Sequence, residues 1–283
     1  MISPCLWFDS EAEEAAAFYV SLFKNSRIKE TAPYLVDTPS QKPLGSVMTV
    51  TFVLEGQEFM ALNGGPFFKK NPSISFVVNC KDPDALWKKL SEGGKVLMPL
   101  QKYPFSERYG WVQDTYGVSW QIAVNDTPSI VTSLLFIKSR MAKEAVELYT
   151  SVFPHSKVNT MMLYGEKEHE PQGTVKYASF TLNGQAFAAM DGSRGHDFSF
   201  SEGISLMIPC SNQKEMDYYY FHLSAVPSAE VCGWLKDKFG VSWQLVPENL
   251  DKWMTGPNAK HVMAAVMEMK RLDIEELRKV NEG

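Results

Sequence analysis

The stretch GSVMTVTFVLEGQEFMALNG, residues 45–64, returns as GTVKYASFTLNGQAFAAMDG, residues 173–192, with 9 identities in 20 positions and no gap. A second block, WVQDTYGVSWQIA at 111–123, returns as WLKDKFGVSWQLV at 234–246 with 7 identities in 13. Upstream of both, Ala12-Glu13-Glu14-Ala15 followed by Tyr19, Ser21 and Phe23 is matched by Ala142-Lys143-Glu144-Ala145 followed by Tyr149, Ser151 and Phe153. A repeat of roughly 130 residues is far longer than a solenoid unit, so the chain is read as a duplicated domain. The junction falls at Asn125-Asp126-Thr127-Pro128, which gives domains at 1–125 and 129–248 and a helical extension at 249–283.

Length agrees, since 283 residues exceed one average domain. Hydrophobic residues make up 45% and charged residues 22%, the balance of a folded globular chain. The 28 basic and 33 acidic residues leave a net charge of −5 with no basic run, so no nucleic-acid partner is expected. No apolar run approaches the ~18 residues of a membrane span, and Met1–Phe8 lacks the basic segment of a signal peptide. The expectation is a cytoplasmic protein with no membrane partner. Cysteines 5, 80, 210 and 232 show no C-x-x-C spacing, so neither a zinc cluster nor a redox motif is written, and reduced thiols suit that compartment.

Each half reads as strand, helix and three strands, done twice. Leu6–Phe8 is a short strand, and Asp9 is an N-cap for a helix with Ala12, Ala15, Ala16, Tyr19 and Phe23 on one face; Ser139 holds the matching cap. Strands Val47–Leu54 and Glu58–Leu62 flank a short hairpin turn, matched by an Asn183-Gly184 turn. Strand Ile74–Cys80 then leads into a helix opened by Asp82 and Pro83 and stopped by Gly93-Gly94. Strands Gly110–Gln113 and Val118–Ala123 close the half. The fold class expected is α+β: four βαβββ modules, two per half, each half pairing its modules into a curved eight-stranded mixed sheet around a cleft.

The run Phe8-Asp9-Ser10-Glu11-Ala12-Glu13-Glu14-Ala15 with Phe18-Tyr19, and the closing Gly110-Trp111-Val112-x-Asp114-x-x-Gly117-Val118-x-Trp120-Gln121-Ile122, resemble the PhnB-like family. That family belongs to the vicinal oxygen chelate superfamily, with glyoxalase I and the bleomycin-resistance proteins, and is often labelled a 3-demethylubiquinone-9 3-methyltransferase domain. The second half repeats the resemblance from Cys232 to Gln244, and the tail from Lys260 to Ile274 resembles a common extension of these proteins. The resemblance implies paired βαβββ modules. It also implies dimers, so a tandem chain is expected to form an intramolecular pseudo-dimer, with higher association left open.

In metal-bearing members of the superfamily, the first and last strands of each module supply His, Gln, Glu or Tyr ligands. The matching positions fall near Pro4, Asn63, Ser73 and Gln121 in the first half and near Leu134, Asp191, Gly203 and Gln244 in the second. Such a set offers amides and one carboxylate, too little for a tight divalent site. His155, His169, His196, His222 and His261 avoid these positions, and the Asp191, His196, Asp197 cluster reads better as a solvated loop than as a cation site. Cys80 and Cys210 read as small buried residues, and nothing recognisable lowers the pKa of Cys232. No Gly-x-Gly turn stands between a strand and a helix, so methyltransferase activity is not expected.

What remains is a binding cleft. Ser75, Val77 and Asn79 share a strand face opposite Ile74, Phe76 and Val78, and Ser119 and Gln121 oppose Val118, Trp120 and Ile122. The mixed faces are expected to line the cleft, with Asn63, Ser75, Asn79, Gln121, Asp191, Ser205 and Gln244 as ligand-binding residues, no catalytic residue and no cofactor. The reading is a metal-independent small-molecule binder. Its alternatives are a metal-dependent lyase or isomerase-like enzyme, and a pseudo-dimer with one binding half and one structural half. The tail carries helices at 257–270 and 273–280, with Val262, Val266 and Met269 on one stripe expected to dock onto a domain.

Overall fold

The first module runs β1 (Ser3–Phe8), α1 (Ala12–Leu22), β2 (Ser26–Pro33), β3 (Val47–Leu54) and β4 (Gln57–Asn63). The second runs β5 (Ile74–Cys80), α2 (Pro83–Ser91), β6 (Lys95–Tyr103), β7 (Ser106–Gln113) and β8 (Ser119–Val124). The third repeats the plan as β9 (Ser129–Phe136), α3 (Met141–Val152), β10 (Lys157–Leu163), β11 (Val175–Leu182) and β12 (Gln185–Asp191). The fourth is shorter, with β13 (Ile204–Cys210), α4 (Gln213–Leu223), β14 (Trp234–Lys236) and β15 (Ser242–Pro247), and a tail follows of α5 (Leu250–Thr255), α6 (Ala259–Glu268) and α7 (Ile274–Glu282). This is a computed structural model that describes residues 1–137, 141–192 and 197–283.

Two mixed sheets result, shared between the halves in a way the repeat alone does not reveal. The seven-stranded sheet has the order β14-β15-β13-β1-β4-β3-β2, and the eight-stranded sheet has the order β10-β11-β12-β9-β5-β8-β7-β6. Each therefore takes one module from each half. The seams are antiparallel: Cys5 faces Ser205 where β1 meets β13, and Ser75 faces Ser133 where β5 meets β9. The pseudo-dimer is thus closed by backbone hydrogen bonds between the copies.

Within a half, the two modules instead pack helix side to helix side through large aromatic residues. Phe59 of β4 meets Phe76 of β5 with centroids 5.0 Å apart, and Tyr19 of α1 meets Trp120 of β8 at 5.3 Å. Tyr149 and Trp243 repeat the second contact at 5.3 Å. Trp120 and Trp243 are fully buried, and each such ring pair is worth roughly 0.5–1.5 kcal/mol beyond its buried area.

Two local readings change. Asp9 does not cap α1: the N-cap position is Glu11, with no side-chain bond, while Asp9 pairs with Lys42. The first helical amide, Ala12 N, instead donates to Asn63 Oδ1 at 2.9 Å. The Ser139 cap lies outside the described residues.

The fourth module lacks the strand that should follow α4, and the chain makes a short 3-10 turn at Pro227–Ala229 instead. The tail fills the gap, with Cys232 N and Gly233 N donating to Met269 O and Lys270 O at 2.7 and 2.9 Å. At the opposite edge, beyond β2, Leu35 N donates to the Met263 thioether on α6 at 3.4 Å. Met263 and Met269 are six residues apart and reach at most about 20 Å. Seven flat strands would span roughly 29 Å, so this sheet curls and the tail bridges its two edges.

Candidate functional site

On β5, Ile74, Phe76 and Val78 turn toward the helices and are buried there, which leaves Ser75, Val77 and Asn79 on the opposite face. On β8, Trp120 and Ile122 are buried in the same way, and Ser119 and Gln121 share the face with Ser75. That face of the eight-stranded sheet is its cleft face. Gln121 Nε2 donates to Ser75 Oγ at 2.7 Å, Tyr109 Oη donates to Gln121 Oε1 at 2.7 Å, and Trp111 Nε1 donates to Ser119 Oγ at 2.7 Å. Burial, reinforced by Tyr103, pushes the Tyr109 pKa up, so the phenol stays protonated and the chain of bonds keeps its polarity.

Register extends this face across the seam. Ser75 pairs with Ser133, Ser133 with Ala188, and Ala188 with Ser179, so a row of small side chains crosses adjacent strands. Ser133 Oγ is buried and has no hydrogen-bond partner among the described residues. Beside the row, Tyr177 is 40% exposed and pairs across strands with Met162, 51% exposed. Large apolar groups on this face therefore reach solvent.

The seven-stranded sheet carries the related residues in a different setting. Gln244 Nε2 donates to Ser205 Oγ at 2.8 Å, as Gln121 does to Ser75. Where the other sheet has Ser133, this one has Cys5, whose pKa burial pushes up to about 11 against the lowering contacts of Gln244 and Ser205. A cavity of about 410 Å³ remains at one end of the face, lined by Ser3, Val53, Glu58 and Met207 of the sheet and by Asp251 of α5. The tail thus lies on the cleft side of this sheet. Val262 and Met263 of α6 are buried at 0% and 1% exposure, Met263 against Leu35 beyond the β2 edge.

The residues singled out from sequence fall into three places. Ser75 and Gln121 meet in one sheet and Ser205 and Gln244 meet in the other. Asn79 sits further along the first face, donating to Ser129 Oγ at 2.9 Å. Asn63 and Asp191 are on the helix side, away from both faces: Asn63 accepts from Ala12 N and donates to Val47 O, and Asp191 accepts from Ala142 N and Val175 N. Each ties a helix start to a strand start. His196 of the Asp191 cluster lies outside the described residues.

The sequence reading does not single out Tyr109, Trp111 or Ser133. A strand beginning at Gly110 starts one residue too late for Tyr109, and the β9 position expected near Leu134 falls one residue past Ser133. The period-2 alternation of Val131, Ser133 and Leu135 against the buried Ile130, Leu134 and Phe136 was the available signal. The aspartates of the repeated W-x-x-D-x-x-G-V-x-W motif are structural. Asp114 accepts from Tyr19 Oη, Trp120 Nε1, Tyr116 N and Val118 N, and Asp237 from Tyr149 Oη, Trp243 Nε1, Phe239 N and Val241 N. Burial raises the pKa of Cys210 to about 12 and also raises those of Cys80 and Cys232, so none is an activated thiolate.

The central positions of these faces do not fit a divalent metal. In the eight-stranded sheet the central positions are Ser75, Gln121, Ser133 and Ala188, and in the other Cys5, Met60, Ser205 and Gln244. Neither set has an imidazole or carboxylate. Among the described residues, no group of three or more His, Cys, Asp or Glu is placed to hold an ion, and no helix is long and apolar enough to cross a membrane.

A sequence profile described as 3-demethylubiquinone-9 3-methyltransferase matches residues 1–123 and 128–246. Among solved structures, a putative 3-demethylubiquinone-9 3-methyltransferase, PhnB protein, of Bacillus cereus is 40% identical over 44% of this chain and 98% of its own, with a TM-score of 0.40. Glyoxalase I of Zea mays is 11% identical over 90% of this chain and 96% of its own, with a TM-score of 0.57, a likeness of fold. No curated protein matches the chain.

Proposed function

The chain belongs to the 3-demethylubiquinone-9 3-methyltransferase family, PhnB-like and of glyoxalase fold, and on that premise we propose that it is a small-molecule-binding protein with one working cleft. The cleft is the face of the eight-stranded sheet that carries Ser75, Gln121, Tyr109 and Ser133, and it works without a metal. The observation that carries this reading is the tail. It reaches one edge of the seven-stranded sheet through Met263 of α6 and the other through Met269 and Lys270 just after it, and Asp251 of α5 lines the end of that face, whereas the other face keeps Tyr177 and Met162 open to solvent. Of two related sheets, one has its edges bridged by the chain's own tail.

The asymmetry follows clefts rather than halves, because each cleft takes residues from both. Neutral hydroxyls, an amide, a phenol and an indole among apolar neighbours orient an uncharged molecule by a few hydrogen bonds. They supply no general base or nucleophile, which supports binding over a lyase or isomerase reaction. Methyl transfer is disfavoured for the same reason, since no glycine-rich turn offers a cofactor its seat.

The experiment is a thermal-shift screen of small metabolites followed by titration of the best compound. Gln121→Leu is expected to weaken its binding at least tenfold and Gln244→Leu to leave it unchanged. Equal losses, or loss in Gln244→Leu alone, would refute the single-cleft reading.

A further inference from the structure

Each sheet ends in two outer strands, and three of the four edges are guarded. β14 is closed by its own chain, with Ala225 N donating to Lys236 O and Trp234 N to Val231 O. β6 carries Pro99 in mid-strand, Lys95 and Lys102, and three breaks of register against β7. β2 carries Arg27, Lys29 and Glu30, ends at Pro33, and passes into the segment whose Leu35 meets the tail at Met263. Charges, proline and covering segments keep an outer strand from pairing with another chain.

β10 is the exception. Counted from the shared Ser26 and Ser156, it matches β2 residue for residue, and the register breaks fall at the same places: Ile28/Glu30 with Val158/Thr160, and Ala32/Pro33 with Met162/Leu163. The guarding residues are what differ. Lys29, Glu30 and Pro33 of β2 are Asn159, Thr160 and Leu163 in β10. Among the described residues no strand pairs on its outer side, and Val158, Met162 and Leu163 are 41%, 51% and 47% exposed. The strand therefore offers an unmatched row of backbone donors and acceptors between apolar side chains.

Charge indicates what fits this edge. Lys157 opens the strand and Glu166 follows its end, both exposed and neither in an ion pair among the described residues. Two copies of one strand pair antiparallel about a two-fold axis normal to the sheet, which sets one residue against itself. With Met161 on that axis, Thr160 meets Met162, Val158 meets Tyr164 and Lys157 meets Gly165, beside Glu166. Lys157 of each copy then lies within reach of Glu166 of the other, so the edge is complementary to itself at both ends.

We propose that β10 is a docking edge for a second copy of this chain, the two strands pairing antiparallel about Met161 so that the eight-stranded sheets of both copies run on as one. The added strands lie beside the cleft face and leave it open, so the dimer does not depend on what the cleft holds. One strand edge is smaller than the ~20–30 residues a side of a standard interface, and the dimer exchanges with monomer.

The test is sedimentation of the full chain from low to high micromolar concentration, with hydrogen exchange at both ends of that range. The expected result is a reversible monomer–dimer equilibrium in which β10 amides exchange more slowly in the dimer, while those of β2 and β6 keep their rates. Lys157→Glu should weaken the dimer about fivefold or more, since two attractions become two repulsions, and adding Glu166→Lys should restore it. Asn159→Lys with Thr160→Glu gives β10 the charges of β2 and should abolish the dimer with the monomer's melting temperature unchanged; if that variant does not fold, Thr160→Lys alone replaces it. A chain that stays monomeric throughout, as an edge reserved for another protein's strand would leave it, overturns the proposal. So does a dimer that survives the charged β10 variant, one that protects β2 or β6 instead, or association beyond two copies, because the two-fold uses each edge once. Failure of Glu166→Lys to restore the Lys157→Glu dimer overturns it as well.

Discussion

Asn63 and Asp191 occupy matched positions at the ends of β4 and β12 and do the same job with opposite hydrogen-bond polarity. Asn63 must donate to Val47 O, and Asp191 must accept from Val175 N. Exchanging them is therefore not conservative. Asn63→Asp sets a carboxylate oxygen against a carbonyl, and Asp191→Asn can set an amide donor against an N–H; each is expected to destabilise by about 1–3 kcal/mol in urea unfolding. Unchanged stability would show that the caps do not carry the helix starts. Asp114 makes a second residue-scale case. Burial raises its pKa, so it favours the fold most fully below the ordinary carboxylate range and loses that contribution as pH rises through the raised value. The Tyr19 hydroxyl opposes the trend by donating to the charged form. Tyr19→Phe should cost about 1–2 kcal/mol at neutral pH and less in mild acid, where a proton replaces the lost donor. A cost that grows in acid would contradict this account of the motif. The sequence marked these aspartates through the repeat, yet a motif shared by both copies marks a fold requirement as readily as a site.

At the scale of elements, the tail replaces a strand and bridges two edges of a sheet. A chain ending at Gly256 loses α6 and α7, and with them the acceptors of Cys232 N and Gly233 N. Those two amides should exchange with solvent faster in hydrogen-exchange measurements, and Cys5, 1% exposed in the full chain, should become reactive toward a charged thiol reagent. Cys5 equally slow in both chains would show that the tail does not shield the face. Strands Val47–Leu54 and Ile74–Cys80 were read from sequence to the residue because hydrophobic runs there end at turn signals. The tail's amphipathic stripe was legible, with Val262 and Val266 buried as expected. Its docking place was not, because a missing β-strand in the fourth module leaves no mark except a weak stretch at 224–233. Asp9 misled because a distant side chain, Asn63, satisfies the helix amide instead.

At the scale of the whole molecule, internal duplication announces two copies but not which strands meet. Periodicity fixes the face a residue takes, while the seams β1–β13 and β5–β9 join residues more than fifty positions apart or from opposite halves. Candidate residues were accordingly found in pairs, Ser75 with Gln121 and Ser205 with Gln244. The partner each pair meets across the seam, Ser133 or Cys5, had to come from the structure. The central claim proposed is that, of two related clefts, the tail has left one for a ligand. A crystal structure of the full chain with the compound that stabilises it most tests this directly. The account predicts one molecule per chain, on the eight-stranded sheet within hydrogen-bond distance of Ser133 or Gln121. Density beside Cys5 and Gln244 beneath the tail, or away from both faces, would contradict it.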